Sequence, residues 1–143
     1  MLVLSTPSGW ADTGNVLVRV TVEGGCTITD SGDLNFGVLN PLSDSPATAT
    51  GIVTYWCAKG EPYNIRFGNG ENYDAGSGKR QMIQEGGSGT IPYDLQEPQG
   101  NPYIGNGPIP PETYQMTATI QAADIRRASA ADYRDNLVIT IEP

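Results

Sequence analysis

Two cysteines, sixteen carboxylates and no histidine make up most of what this chain can bring to chemistry. Without histidine, neither a Ser-His-Asp nor a Cys-His nucleophilic site can be assembled, and a His-ligated zinc or haem lacks its ligand. Cys26 and Cys57 are a single pair in such a chain, which reads as a structural disulfide rather than a metal site. An enzyme would have to rely on a carboxylate pair of the kind that cleaves glycosides. Sixteen acids always offer such pairs, and most belong to a solvated surface. The expectation is therefore no enzyme, no metal and no cofactor.

The chain has 143 residues, enough for one domain that buries a core without metals or dense cross-linking. Its formal charge is -8, with 16 acidic against 8 basic residues. The basic residues form no cluster beyond Arg126-Arg127, which argues against nucleic acid and anionic membranes as partners. No run approaches the ~18 apolar residues of a spanning helix, so no stable membrane insertion is expected. The start, MLVLSTPSGWA, has a short apolar opening followed by small and turn-forming residues. Residues 1–10 read as the remnant of a secretion signal, with a tag as the alternative.

Hydrophobic periodicity defines the elements that must position anything functional. Nearly every ordered-looking segment alternates with period two between Gly, Pro, Asn and Asp, and no amphipathic helix longer than two turns emerges. The chain is all-β. Strands are expected at 15–22, 26–38, 50–58, 62–68, 80–84, 90–96, 113–121 and 133–142. Tyr63, Ile65 and Phe67 share a face; so do Tyr114, Met116, Ala118 and Ile120, and Leu137, Ile139 and Ile141. Each set reads as an inward face of a sandwich. Between them, EPQGNPYIGNGPIPPE at 97–112 carries five prolines and three glycines and reads as a long surface loop.

If 26–38 and 50–58 pair antiparallel with Cys26 opposite Cys57, then Ile28 faces Tyr55, Phe36 faces Ala47, and the turn falls at Asn40-Pro41-Leu42-Ser43. Closing that loop of roughly 31 residues stabilises a fold by about 3 to 4 kcal/mol in the chain-entropy model. With Cys57 inward and no bulge, Trp56 turns outward together with Ile52 and Thr54. It then needs a cover, either the 97–112 loop or another molecule.

The stretch GNVLVRVTVEGGC at 14–26 is the odd one. Val16, Val18, Val20 and Val22 form a wholly apolar face, opposed by Leu17, Arg19, Thr21 and Glu23. Such a strand must be buried on one side. Only Glu23, Gly24 and Gly25 separate it from Cys26, so it either turns back beside its successor or swings away to complete another molecule.

In order along the chain, TGNVLVRVTVEGGC before the first cysteine, GDLNFG at 32–37, the strand ending at Cys57, Arg80 and Met82 in KRQMI, IPYDL at 91–95, YIGNG at 103–107 and ADYRDNLVITI at 131–141 resemble the spore coat protein U domain family, pilin subunits of archaic chaperone-usher fimbriae. The resemblance implies an incomplete immunoglobulin-like β-sandwich that lacks its last strand. It implies residues 11–25 as donor strand and hinge, with Val16, Val18, Val20 and Val22 as plugs and Gly24 and Gly25 as the hinge, and 26–143 as the pilin domain. Phe36, Leu137, Ile139 and Ile141 would help line the acceptor groove, and Trp56 is a candidate subunit contact. The implied partners are identical or related subunits, a periplasmic chaperone and an outer-membrane usher. The implied place is a cell-surface fimbrium of a Gram-negative bacterium, serving adhesion and biofilm formation. Burying four valines is worth roughly 6 to 12 kcal/mol as an upper estimate. The alternative is a secreted carbohydrate- or ligand-binding sandwich, its first strand folded onto its own domain and Trp56 or Tyr103 serving as a stacking platform.

Overall fold

The computed structural model describes residues 11–143; the signal-remnant expectation for 1–10 lies outside them. Segments rich in β-branched and aromatic residues form nine strands and a short helix among the described residues. In chain order these are β1 (Cys26–Ser31), β2 (Ala47–Cys57), β3 (Pro62–Phe67), β4 (Arg80–Gln84), β5 (Thr90–Leu95), β6 (Tyr103–Ile104), β7 (Glu112–Ile120), α1 (Ala122–Arg127), β8 (Tyr133–Arg134) and β9 (Ile139–Glu142). A six-stranded sheet runs β1-β2-β7-β5-β4-β8, and a three-stranded sheet runs β6-β3-β9. The sequential neighbours β4 and β5 are joined through EGGSG, where Gly86 takes a φ of +73° that suits a residue without a Cβ.

Period-two alternation turns one face of each sheet toward the other. Val53, Tyr55 and Cys57 of β2 and Met116 of β7 pack against Tyr63 and Ile65 of β3 at one end of the sandwich. At the other end Ile91, Tyr93 and Leu95 of β5 join Ala118 and Ile120 of β7 and Ile125 of α1. The expected inward sets are therefore inward, and β3, β4 and β5 lie within a residue of their expected limits. The loop at 97–112 departs from expectation in one respect. It contains β6, whose Tyr103 pairs with Tyr63 and stacks on that ring at 5.5 Å.

Three expected strands form differently, each for a physical reason. The pairing of β1 with β2 starts as expected, with Cys26 opposite Cys57 and Ile28 opposite Tyr55. A bulge between Ile28 and Asp30 then shifts the register, placing Asp30 opposite Thr54 and Ser31 opposite Val53. The ladder ends as Gly32 donates its amide to Ile52 at 2.9 Å. Phe36 consequently does not face Ala47, which pairs with Ile120 instead. At the departure point a Cβ on Gly51 would stand 2.6 Å from the Asp33 carbonyl, so the chain crosses closely over β2 where no side chain intervenes. The Asn40–Ser43 turn does close, with the Ser43 amide donating to Asn40 O at 3.1 Å.

The expected strand 133–142 splits. Tyr133–Arg134 pairs with β4 in the larger sheet, whereas Ile139–Glu142 pairs with β3 in the smaller one, so 135–138 crosses the edge of the sandwich. The expected strand at 15–22 has no partner and carries no regular structure, because no sheet edge of its own chain lies alongside it to complete a ladder.

Candidate functional site

Each sheet ends on an unpaired strand: β1 bonds only to β2, and β9 only to β3. Beside these edges opens a groove of about 390 Å³. One wall is the segment after β1, with Leu34 and Phe36; the other is the crossing into β9, with Leu137 and Ile139. Val53, Phe67, Met82, Met116 and Ala118 form an apolar floor. Alternation along β2, β3, β4 and β7 explains the floor, since each of these residues sits on its strand's inward face.

At one end the groove meets a polar cluster. Tyr93 on β5, nearly buried, donates its hydroxyl to Asp135 Oδ2 at 2.5 Å. Burial first, and then this bond to a carboxylate, raise the phenol above its ordinary range. Asp135 Oδ1 also accepts from the Glu71 amide at 3.0 Å and from Asn72 Nδ2 at 2.9 Å. Away from the groove, Tyr63 donates to Glu112 Oε2 at 2.7 Å and shares a 2.7 Å bond with Tyr55. These carboxylates are engaged in holding segments together. Among the described residues no three His, Cys, Asp or Glu side chains converge as metal ligands.

The N-terminal segment is the groove's counterpart in character. Val16, Val18, Val20 and Val22 are each between 82% and 86% exposed, and Leu17 is 76% exposed. The reading in which the first strand folds onto its own domain does not describe this molecule. Gly25 explains why: its carbonyl accepts from the Ala58 amide at 2.9 Å, which extends the β1–β2 ladder by a step. A Cβ on Gly24 would stand 2.4 Å from the Glu61 carboxylate, so the chain leaves past the β2–β3 turn. Gly25 is thus tied to the domain, and the free segment begins at Gly24.

The remaining sequence-derived positions fall as follows. Cys26 and Cys57 form the disulfide. Phe36, Leu137 and Ile139 line the groove. Ile141 pairs with Ile65 and packs into the core cluster around Val53 and Tyr55. Trp56 lies opposite Thr27 on the outward face of β2, half-buried, with Thr54 and then a 53% exposed Ile52 further along the same face. Nearby, the Gly107 amide donates to Cys57 O at 3.0 Å, so the 97–112 loop is tied to this end of the domain. Sequence reasoning missed Met82, Tyr93 and Asp135 as groove residues. Alternation in IPYDL places Tyr93 inward, but nothing local shows that Asp135 meets it.

The model of the Spore Coat Protein U domain matches residues 12–140. Among solved structures, the chain is similar to one in the crystal structure of the CsuC-CsuE chaperone-tip adhesion subunit pre-assembly complex from the archaic chaperone-usher Csu pili of Acinetobacter baumannii. The two share 24% identity with a TM-score of 0.54, over 85% of this chain and 40% of that one. That likeness is one of fold, and it accords with an all-β sandwich of immunoglobulin-like type. No curated protein matches. From the match across nearly all its described length, the chain belongs to the Spore Coat Protein U domain family.

Proposed function

We propose that this protein is a structural subunit of an archaic chaperone-usher fimbria, and that it polymerises by donor-strand exchange. The observation that carries the reading is the coexistence, in one chain, of an open apolar groove flanked by unpaired strand edges and an exposed valine strand that pairs with nothing. Each needs what the other supplies. An added strand would gain backbone bonds along β9 and bury alternate valines on the groove floor, which is the physics of β-strand addition. None of the segment's valines lines the groove of its own domain, so the acceptor is a second copy or a related subunit, and repetition of that contact makes a fibre.

The similar solved structure supports a chaperone as a transient occupant of the groove, since it is a complex of a chaperone with a tip adhesion subunit. On this reading the chain is exported through the periplasm, passed to an outer-membrane usher and displayed on the surface, where the fibre serves adhesion and biofilm formation. No helix among the described residues is long and apolar enough to cross a membrane.

The deciding experiment removes residues 15–22 and follows size. The full chain co-expressed with its chaperone and released from it should form polymers. The truncated chain should remain a folded, chaperone-bound single subunit. Fibres from the truncated chain would overturn the proposal.

A further inference from the structure

The groove's floor is apolar, yet a hydrogen-bonded polar pair stands where the chain passes from one sheet to the other. Asp135 follows β8 and opens the crossing 135–138 that becomes the groove wall. Its Oδ2 accepts from Tyr93 on β5, and its Oδ1 accepts from Glu71 and Asn72 in the turn after β3. One side chain thereby joins three segments distant in sequence. Gly70 completes the arrangement: its φ is +82°, and a Cβ there would stand 2.2 Å from Asp135 Oδ2. Only glycine lets the turn close on the carboxylate. The other end of the crossing is held as the Gly68 amide donates to Val138 O at 2.8 Å.

We propose that Asp135 is the positioning residue of the groove, holding the 135–138 wall apart from the 31–36 wall so that the groove stands open before a strand arrives. The inference rests on the reading of the groove as a strand acceptor. An apolar groove open to water is under pressure to close, because Phe36 and Leu137 on opposite walls would leave water by meeting. Closure requires the crossing to move, and movement would strip a half-buried carboxylate of its three donors. Donors from β5 and from the 70–72 turn oppose that movement from two directions. A groove that is open only part of the time would capture strands more slowly in proportion to its open fraction, while an already bound strand would leave at an unchanged rate.

The test uses the full chain released from its chaperone and diluted below the concentration at which it polymerises, with a fluorescein-labelled peptide of residues 12–25 in excess and anisotropy reporting entry and departure. Tyr93→Phe removes one donor, Asp135→Asn weakens the acceptor, and the double variant closes the cycle. Each single change should slow entry about tenfold, and the double should lose less than the product of the two, because both changes weaken the shared Tyr93–Asp135 bond. Departure of the bound peptide should stay within twofold of the original chain. Entry at the original rate in Tyr93→Phe, losses that multiply in the double variant, or equal changes in entry and departure would overturn the inference. If Asp135→Asn does not fold, Tyr93→Phe alone decides through the entry and departure rates. An original chain that takes up no peptide at all would count instead against the acceptor reading itself.

Discussion

Tyr63 is a core residue with a hydroxyl that must be satisfied, and the fold answers with a relay. Tyr55 and Tyr63 share a bond, Tyr63 donates to Glu112, and Asn106 Nδ2 donates to the other oxygen of that carboxylate at 2.7 Å. Burial, followed by these bonds, raises the Tyr63 phenol, and burial likewise raises those of Tyr55, Tyr93 and Tyr114. An acid whose folded pKa is raised keeps its proton in the native state after the unfolded chain has lost it. The stabilisation is therefore complete below about pH 10 and declines as pH rises above that value. Urea unfolding at pH 8, 10 and 11 should show a falling midpoint, and Tyr93→Phe, which keeps the ring and loses the ionisable group, should flatten the fall. A midpoint independent of pH across this window would contradict the assignment. The cysteines lend themselves to a simpler check. With 31 residues separating them, replacing both by Ser should cost about 3 to 4 kcal/mol in the same unfolding assay. This pair was legible from the sequence because it was the only pair. Asp135 was not, because its donors lie at Glu71, Asn72 and Tyr93 and are set by the packing of the two sheets.

At the scale of elements, alternation told which residues face inward but not where a ladder stops. Val53, Tyr55 and Cys57 were read inward and are buried, and the register at Cys26, Thr27 and Ile28 follows. The expected 26–38 strand nevertheless ends at Ser31, where a bulge and the crossing over Gly51 redirect the chain. Phe36 was expected opposite Ala47, a pairing that does not form, and, by the resemblance, in the groove; it lines the groove because the redirected segment becomes its wall. The C-terminal strand was likewise read as one because 133–142 keeps its parity through the crossing between sheets. The segment at 15–22 follows from the same limit: its pattern is that of a strand, and on the proposed reading its missing partner lies in another subunit. An unpaired charge inserted there tests its role. Val18→Asp or Val20→Asp would bring a carboxylate onto the floor of Val53, Met116 and Ala118, at a cost of several kcal/mol. Either change should abolish polymers seen by size-exclusion chromatography while leaving the subunit folded with its chaperone. Polymers formed at the original rate would exclude the valine face as the buried one.

For the whole molecule, if copies exchange strands as proposed, the question is how copies that each carry a charge of -8 come together beyond that strand. Like-charged copies repel over about a Debye length, ~8 Å at physiological salt, so any second contact is favoured where the surface carries no charge. On the outward face of β1, β2 and β7, Trp56 lies opposite Thr27 and Thr54 opposite Thr113, so this end of the face is largely uncharged, although Asp30 stands opposite Thr54 on β1. An aromatic residue among neutral threonines is closer in composition to an interface core than to ordinary charged surface. Trp56 stands at the end of this face nearest Gly24, where, on the proposed reading, the connection to the next subunit would begin. Its half-buried ring leaves apolar area available, and a tryptophan held between successive subunits would fix the angle that a glycine connection leaves free. Trp56→Ala should therefore leave the subunit folded and able to polymerise, and should change the shape or stiffness of purified fibres in electron micrographs. Raising the salt should straighten or tighten the original fibres by screening repulsion, and should do less for the variant, which lacks the contact that screening favours. Fibres of Trp56→Ala indistinguishable from the original at every salt concentration would assign the ring to its own domain, held by the 97–112 loop tied at Cys57.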